Sequence, residues 1–132
     1  MARTAKSGVV HLDTHIVCWL YEGRTELLTT AAMRAIEDGL LQISPIVQLE
    51  LSYLHEIGRI NRGGHAVLEA LANDIGLSVA DVSFAQIMKV AETLTWTRNP
   101  FDRMIVAHCI VANAMLVSKD QLMHQYFSKV IW

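Results

Sequence analysis

Residues 40–54 read LLQISPIVQLELSYL, and the change of period inside that stretch decides the fold. LLQIS (40–44) is a short apolar run of strand type. Ser44 followed by Pro45 is an N-cap plus a first-turn proline, so PIVQLELSYLHEIGRI continues as a helix to about Gly58. A strand that passes within one residue into a helix is half of a β-α-β unit.

The same alternation extends in both directions. Toward the N-terminus, VVHL (9–12) is a buried strand ending at Asp13, DTHIVCWLYEG is a short helix stopped at Gly23, and AAMRAIEDG is a helix capped by Thr29 or Thr30, with Gly39 just past its end. Toward the C-terminus, a helix (HAVLEALANDIG) follows the Gly63-Gly64 break, LSVAD (77–81) is a strand, and Ser83 caps FAQIMKVAETLTW. RNPFDRMIVAHCI (98–110) enters a helix from about Asp102, MLVS (115–118) is a strand, and SKVIW (128–132) is a last, edge strand. The strands read as apolar runs rather than strict alternations, which indicates a mainly parallel sheet covered on both faces. The expected fold is a three-layer α/β/α sandwich forming one domain over residues 1–132.

Composition narrows the function. At 52% hydrophobic and 18% charged residues, the 132-residue chain is core-rich and globular. Mean hydropathy is +0.30, yet no window approaches 18 uninterrupted apolar residues. The opening MARTAKSG is basic with no apolar segment of its own, so no secretory signal is expected and the cytoplasm is the expected compartment. Cys18 and Cys109 lie in apolar runs without metal-ligand spacing and read as buried free thiols. A formal net charge of -2 argues against a broad basic surface for nucleic acid, so any such role must be local.

Four acids stand out on this frame. Asp13 and Asp120 follow the carboxyl ends of strands, where open α/β sheets build their sites. Glu50 has Ile46, Tyr53, Leu54 and Ile57 as its helical neighbours, so it occupies the middle of a stripe that a helix normally reserves for the core. Asp102 heads a helix that is apolar almost all round, at a start fixed by Asn99-Pro100. Each has an ordinary alternative as a cap, a first-turn acid or a satisfied buried group, but four carboxylates brought to one sheet edge repel unless something positive lies between them. Hard oxygen donors suit Mg²⁺ or Mn²⁺ rather than zinc, and that chemistry points to phosphodiester hydrolysis. Asp81 is a further acid at a strand end, more simply read as a cap for the following helix. His11 and His15, four apart across a strand-to-helix change, make a poor metal pair, and His55 and Glu56 lack the second histidine of a zinc-protease motif.

LDTHIVCW (12–19), SPIVQLELSYL (44–54), RNPFDRMIVAHCI (98–110) and LVSKD (116–120), in this order and with VIW at the end, resemble a PIN domain. More closely, they resemble the VapC-like toxins of bacterial and archaeal type II toxin–antitoxin pairs. The resemblance covers essentially the whole chain. It implies an endoribonuclease that cuts single-stranded or loop RNA, with Asp13, Glu50, Asp102 and Asp120 as catalytic and metal-binding acids around Mg²⁺ or Mn²⁺. It also implies a homodimer and a small VapB-like antitoxin whose tail lies across the acidic groove. Leu49 stands where many relatives have tryptophan, and Ser118 where threonine is common; serine keeps the hydroxyl that orients a neighbouring carboxylate. Thr14 and Ser118 are expected to support the acids, and Arg98, Arg103 and Lys119 to touch RNA phosphate. The alternative is a catalytically idle module of the same fold that binds RNA or a partner protein as a scaffold.

Overall fold

In a computed structural model that describes residues 7–132, the strands are β1 (Ser7–Leu12), β2 (Gly39–Ile43), β3 (Ser78–Val79), β4 (Met115–Val117) and β5 (Val130–Ile131). Most of the basic stretch read above for a signal lies outside the described residues. The helices are α1 (Thr14–Tyr21), α2 (Thr30–Asp38), α3 (Pro45–Glu56), α4 (Gly64–Ile75), α5 (Phe84–Ala91), α6 (Pro100–Ala112) and α7 (Gln121–Tyr126), with a 3-10 turn at Thr25–Leu27. The five strands form one sheet in the order β3-β2-β1-β4-β5, every pair parallel, which bears out the expected sandwich. No described helix is long and apolar enough to cross a membrane.

The order has a physical consequence. The chain moves from β1 outward to β2 and β3, then returns to place β4 on the other side of β1. Strand order therefore reverses between β1 and β4, and the loops leaving their carboxyl ends diverge to open a crevice. β1 is covered on both faces, since Val10, His11 and Leu12 are all buried, and this is why it reads as a continuous apolar run. Leu12, Ile43, Leu116 and Val117 from the sheet meet Ile16, Val47, Leu51 and Ile105 from the helices in one core.

Several boundaries differ from the sequence expectation, each for a local reason. Strand 77–81 shrinks to Ser78–Val79, because Leu77 and Ala80 are drawn inward while Ser78 and Val79 stay exposed at the sheet edge. Helix α5 stops at Ala91, before the expected Trp96, and Thr93 Oγ1 donates to Val90 O as the helix ends. Helix α6 starts at Pro100, two residues before Asp102, because Asn99 Oδ1 accepts from the N–H groups of Phe101 and Asp102. Helix α7, absent from the sequence reading, is a short segment whose N-cap is Asp120. Gly39 lies just past the end of α2, as read from the sequence; it is extended (φ −84°, ψ 162°) and opens β2. Glycine is needed there for space, since a Cβ would stand 2.4 Å from Val10 Cγ2 and 2.8 Å from the Ala35 carbonyl. Ser44 sits at the N-cap of α3 without making a cap bond, its hydroxyl being hydrogen-bonded to His108 Nδ1 at 2.9 Å.

Helices α3 and α4 approach closely at Gly64, where a Cβ would stand 2.3 Å from the Gln48 carbonyl oxygen. Its N–H donates to Ser52 Oγ at 3.0 Å. Gly64→Ala must push the helices apart, and we expect a loss of roughly 1–3 kcal/mol in stability, read as a lowered denaturation midpoint in urea.

Candidate active site

The crevice between the ends of β1 and β4 is a cleft of about 460 Å³ lined by Asp13, His15, Trp19, Glu50, Asn99, Asp102, Lys119 and Asp120. All four acids singled out in the sequence thus meet in one place, from four different elements.

Asp13 is the innermost, only 7% exposed. It leaves β1 as the N-cap of α1, and its Oδ1 accepts from Thr14 N–H at 2.8 Å. Its Oδ2 accepts from Ser118 Oγ at 2.6 Å, across the β1–β4 divide. Ser118, wholly buried, also accepts from Asp120 N–H at 3.0 Å, so one hydroxyl ties two of the acids. Asp120 caps α7 by accepting from Met123 N–H at 2.9 Å while lining the cleft. The cap alternative holds for it, and both roles use the same carboxylate. Glu50 accepts a hydrogen bond at Oε1 from the Thr14 hydroxyl. Thr14 and Ser118 thus each donate a side-chain hydrogen bond to one of the acids.

Glu50 does not sit within a core stripe. The buried face of α3 is Val47 and Leu51, whereas Tyr53 (48%) and Ile57 (49%) of the Glu50 stripe are exposed. Of the apolar neighbours that made Glu50 look buried, Ile46 and Leu54 pack against the main core, while Tyr53 and Ile57 lie open to solvent. Asp102, one turn into α6, completes the set from the opposite wall.

Burial first, and repulsion from neighbouring carboxylates second, make Asp13, Glu50 and Asp102 hold protons more readily than ordinary carboxyls. Burial raises the Asp102 pKa to about 7, and the negative charges of Asp13, Asp120 and Glu50 add to the shift. Burial also raises Asp13 and Glu50, opposed by the Ser118 and Thr14 hydrogen bonds respectively. Donor chemistry and charge both fit a hard divalent cation, which would relieve this repulsion. The fit is not a finished cage: among the described residues, no three His, Cys, Asp or Glu side chains stand arranged to hold a metal as placed.

The expected cations divide. Lys119 lines the cleft, its ammonium 5.9 Å from the centre of the Trp19 ring. Arg98 is exposed outside the lining, and Arg103 Nε donates to Thr97 O at 2.8 Å, holding the loop that enters α6. Asp81 also lies outside the lining, and Ser83 itself accepts from Gln86 N–H to cap α5. His11 is buried against His108, whereas His15 faces the cleft, so the two histidines are separated as expected. His15, Trp19 and Asn99 were missed as lining residues. Asn99 was readable as the N-cap before a first-turn proline, and His15 and Trp19 as an i, i+4 pair on the helix that Asp13 starts.

Two outcomes follow. Carboxyl groups whose folded pKa is raised contribute stability at low pH that is lost as pH rises through the folded value. The protein in EDTA is therefore expected to lose thermal stability between about pH 4 and pH 7, and Mn²⁺ to restore it at pH 8; Asp102→Asn should flatten both effects. Ser118→Ala leaves Asp13 Oδ2 and the Asp120 N–H without their partner, and a loss of about 1–3 kcal/mol is expected from denaturant melts.

The profile of the PIN domain matches residues 10–127, a span that includes all four acids. Among solved structures, the fold is similar to a chain of VapBC2 from Rickettsia felis, described as bound to a DNA fragment from their promoter. The two share 18% identity with a TM-score of 0.62, over 92% of this chain and 96% of that one. It is equally similar to a chain of VapBC-1 from nontypeable Haemophilus influenzae, at 19% identity and a TM-score of 0.62, over 92% and 94%. No curated protein matches in sequence. With the PIN profile spanning residues 10–127, this chain belongs to the PIN domain family.

Proposed function

We propose that this PIN domain is an Mg²⁺- or Mn²⁺-dependent endoribonuclease, hydrolysing RNA phosphodiester bonds as the toxin of a VapBC-type pair. The observation that carries the reading is the meeting of Asp13, Glu50, Asp102 and Asp120 in one cleft at the sheet's reversal point. A structural role would not gather four like-charged side chains in one cleft.

Asp13, Asp102 and Asp120 would hold the metal. A bound divalent cation supplies charge neutralisation at phosphorus and acidifies a water. The protein's part is positioning. Ser118 and the Thr14 N–H fix both oxygens of Asp13, each keeping a lone pair for a further partner. Glu50, with Oε1 occupied by Thr14, keeps Oε2 for the metal or for orienting the attacking water. Lys119, held beside Trp19, contacts a substrate phosphate. The likeness to chains of VapBC structures supports a small VapB-like antitoxin as partner; a homodimer is proposed on the sequence resemblance to VapC-like toxins alone.

The absence of a ready-made ligating group among the described residues favours a second reading, an idle scaffold of the same fold. Purified protein is incubated with structured RNA in Mn²⁺, with and without EDTA, beside Asp13→Asn. We expect cleavage that EDTA abolishes and that Asp13→Asn lowers by at least about 100-fold, the scale on which displaced catalytic groups act. Cleavage indifferent to both sinks the metal mechanism, and no Mn²⁺ heat in calorimetry supports the scaffold.

A further inference from the structure

The cleft presents an electrostatic difficulty for the ligand assigned to it. Four carboxylates face Lys119 as the one lysine or arginine in the described lining, and the chain as a whole is net negative. Even with a divalent cation bound, little of the binding energy of a polyanion can come from phosphate contacts. It must come from the bases.

Two aromatic rings are placed to supply it. Tyr53 lies one turn beyond Glu50 on α3, and Phe101 immediately precedes Asp102 on α6. Their rings stack across the gap between the two helices, 6.3 Å apart with an interplanar angle of 23°. Tyr53 is 48% exposed, and neither ring belongs to either hydrophobic cluster. Core packing therefore does not account for them. The aromatic residue that lines the cleft itself differs: Trp19 packs on the main core, with Trp132 at 6.2 Å and the Lys119 ammonium at 5.9 Å. Tyr53 and Phe101 instead stand beside the lining acids Glu50 and Asp102 on their helices. Phe101 is also stiffened from below, because the Asn99 cap fixes its N–H and that of Asp102. A rigid aromatic surface loses little entropy when a flat ligand settles on it.

We propose that Tyr53 and Phe101 form a stacking platform for an unpaired nucleobase next to the scissile phosphate. The platform rests on the nuclease reading and gives it a preference: a duplex keeps its bases stacked inside, so only single-stranded or looped substrate can engage the rings. Recognition by ring faces is tolerant of sequence, since every base has one. The exposed flanks of Tyr53 at Leu49 (58%) and Ile57 (49%) offer a protein partner an apolar surface too, which the test separates.

The test measures binding apart from cleavage. Fluorescence anisotropy in Ca²⁺, in an Asp120→Asn background, compares a short single-stranded RNA with an abasic strand of the same length. Tyr53→Ala and Phe101→Ala are each expected to weaken binding of the base-bearing strand by roughly 5- to 150-fold, the range of one lost stacking contact. The abasic strand should bind all variants alike, and Tyr53→Phe should match its parent. Equal losses on both strands, no loss at all, or no binding by the parent overturns the platform. A change of sedimentation mass in the alanine variants without a base-dependent loss assigns the rings to a protein contact instead. The nuclease reading is judged separately, by EDTA-sensitive cleavage with the wild-type chain.

Discussion

A carboxylate buried at the end of a central strand is the constraint on which the rest of this structure depends. Asp13 is nearly sealed from water, and an ion in that position costs on the order of several kcal/mol unless its oxygens are satisfied. Two donors meet the need, the Thr14 N–H and the Ser118 hydroxyl. The second exists only because β4 lies beside β1, which places Ser118 across from Asp13 as both strands end. Strand order, and not chain proximity, thus completes the acid's environment, over a separation of 105 residues.

The helix starts are used in the same economical way. Asp13 caps α1, Asp120 caps α7 and Asn99 caps α6, and all three also line the cleft. A cap residue must have its side chain at the end of the helix, facing the unpaired N–H groups, and in an open parallel sheet several helix N-termini converge at the strands' carboxyl ends. Capping and site-building therefore recruit the same positions. The positive ends of α1 and α6 partly offset the repulsion among the acids, though the raised Asp102 pKa shows that they do not cancel it.

This overlap decides how much the sequence could disclose. The fold was legible because its strands are short apolar runs bounded by cap signals, and the four acids were legible because each stood at such a boundary or within an apolar stripe. Other features were hidden for stated reasons. A two-residue edge strand such as β3 carries too few residues to show a period. Helix α7 spans six residues, too few for a clear apolar face. Glu50 was found by a premise that holds only in half, since Ile46 and Leu54 of its apolar stripe pack on the core while Tyr53 and Ile57 are exposed; there the stripe marked a surface that is unusually apolar for one open to water. Strand order is a nonlocal property, so the Ser118–Asp13 bond could be expected only through resemblance.

The remaining brace lies below the cleft. His108, wholly buried on α6, is hydrogen-bonded to Ser44 at the head of α3, and its ring meets that of His11 on β1 edge-on at 5.0 Å. Burial first, and the proximity of the His108 ring second, lower the His11 pKa to about 4, and burial lowers that of His108, so the pair resists protonation and brings no net charge beneath the acids. The elements joined there are those that carry Asp102, Glu50 and Asp13. An apolar trio could fill the same volume, but it would not fix the rotation of α3 against α6, because van der Waals contact is non-directional and a hydrogen bond is not. Ser44 makes this link with its hydroxyl instead of a side-chain cap bond, and the Val47 N–H donates to the Ser44 carbonyl at 2.9 Å. A serine whose backbone carbonyl meets the N–H of the helix's third residue therefore keeps its hydroxyl for holding two acid-bearing helices in register.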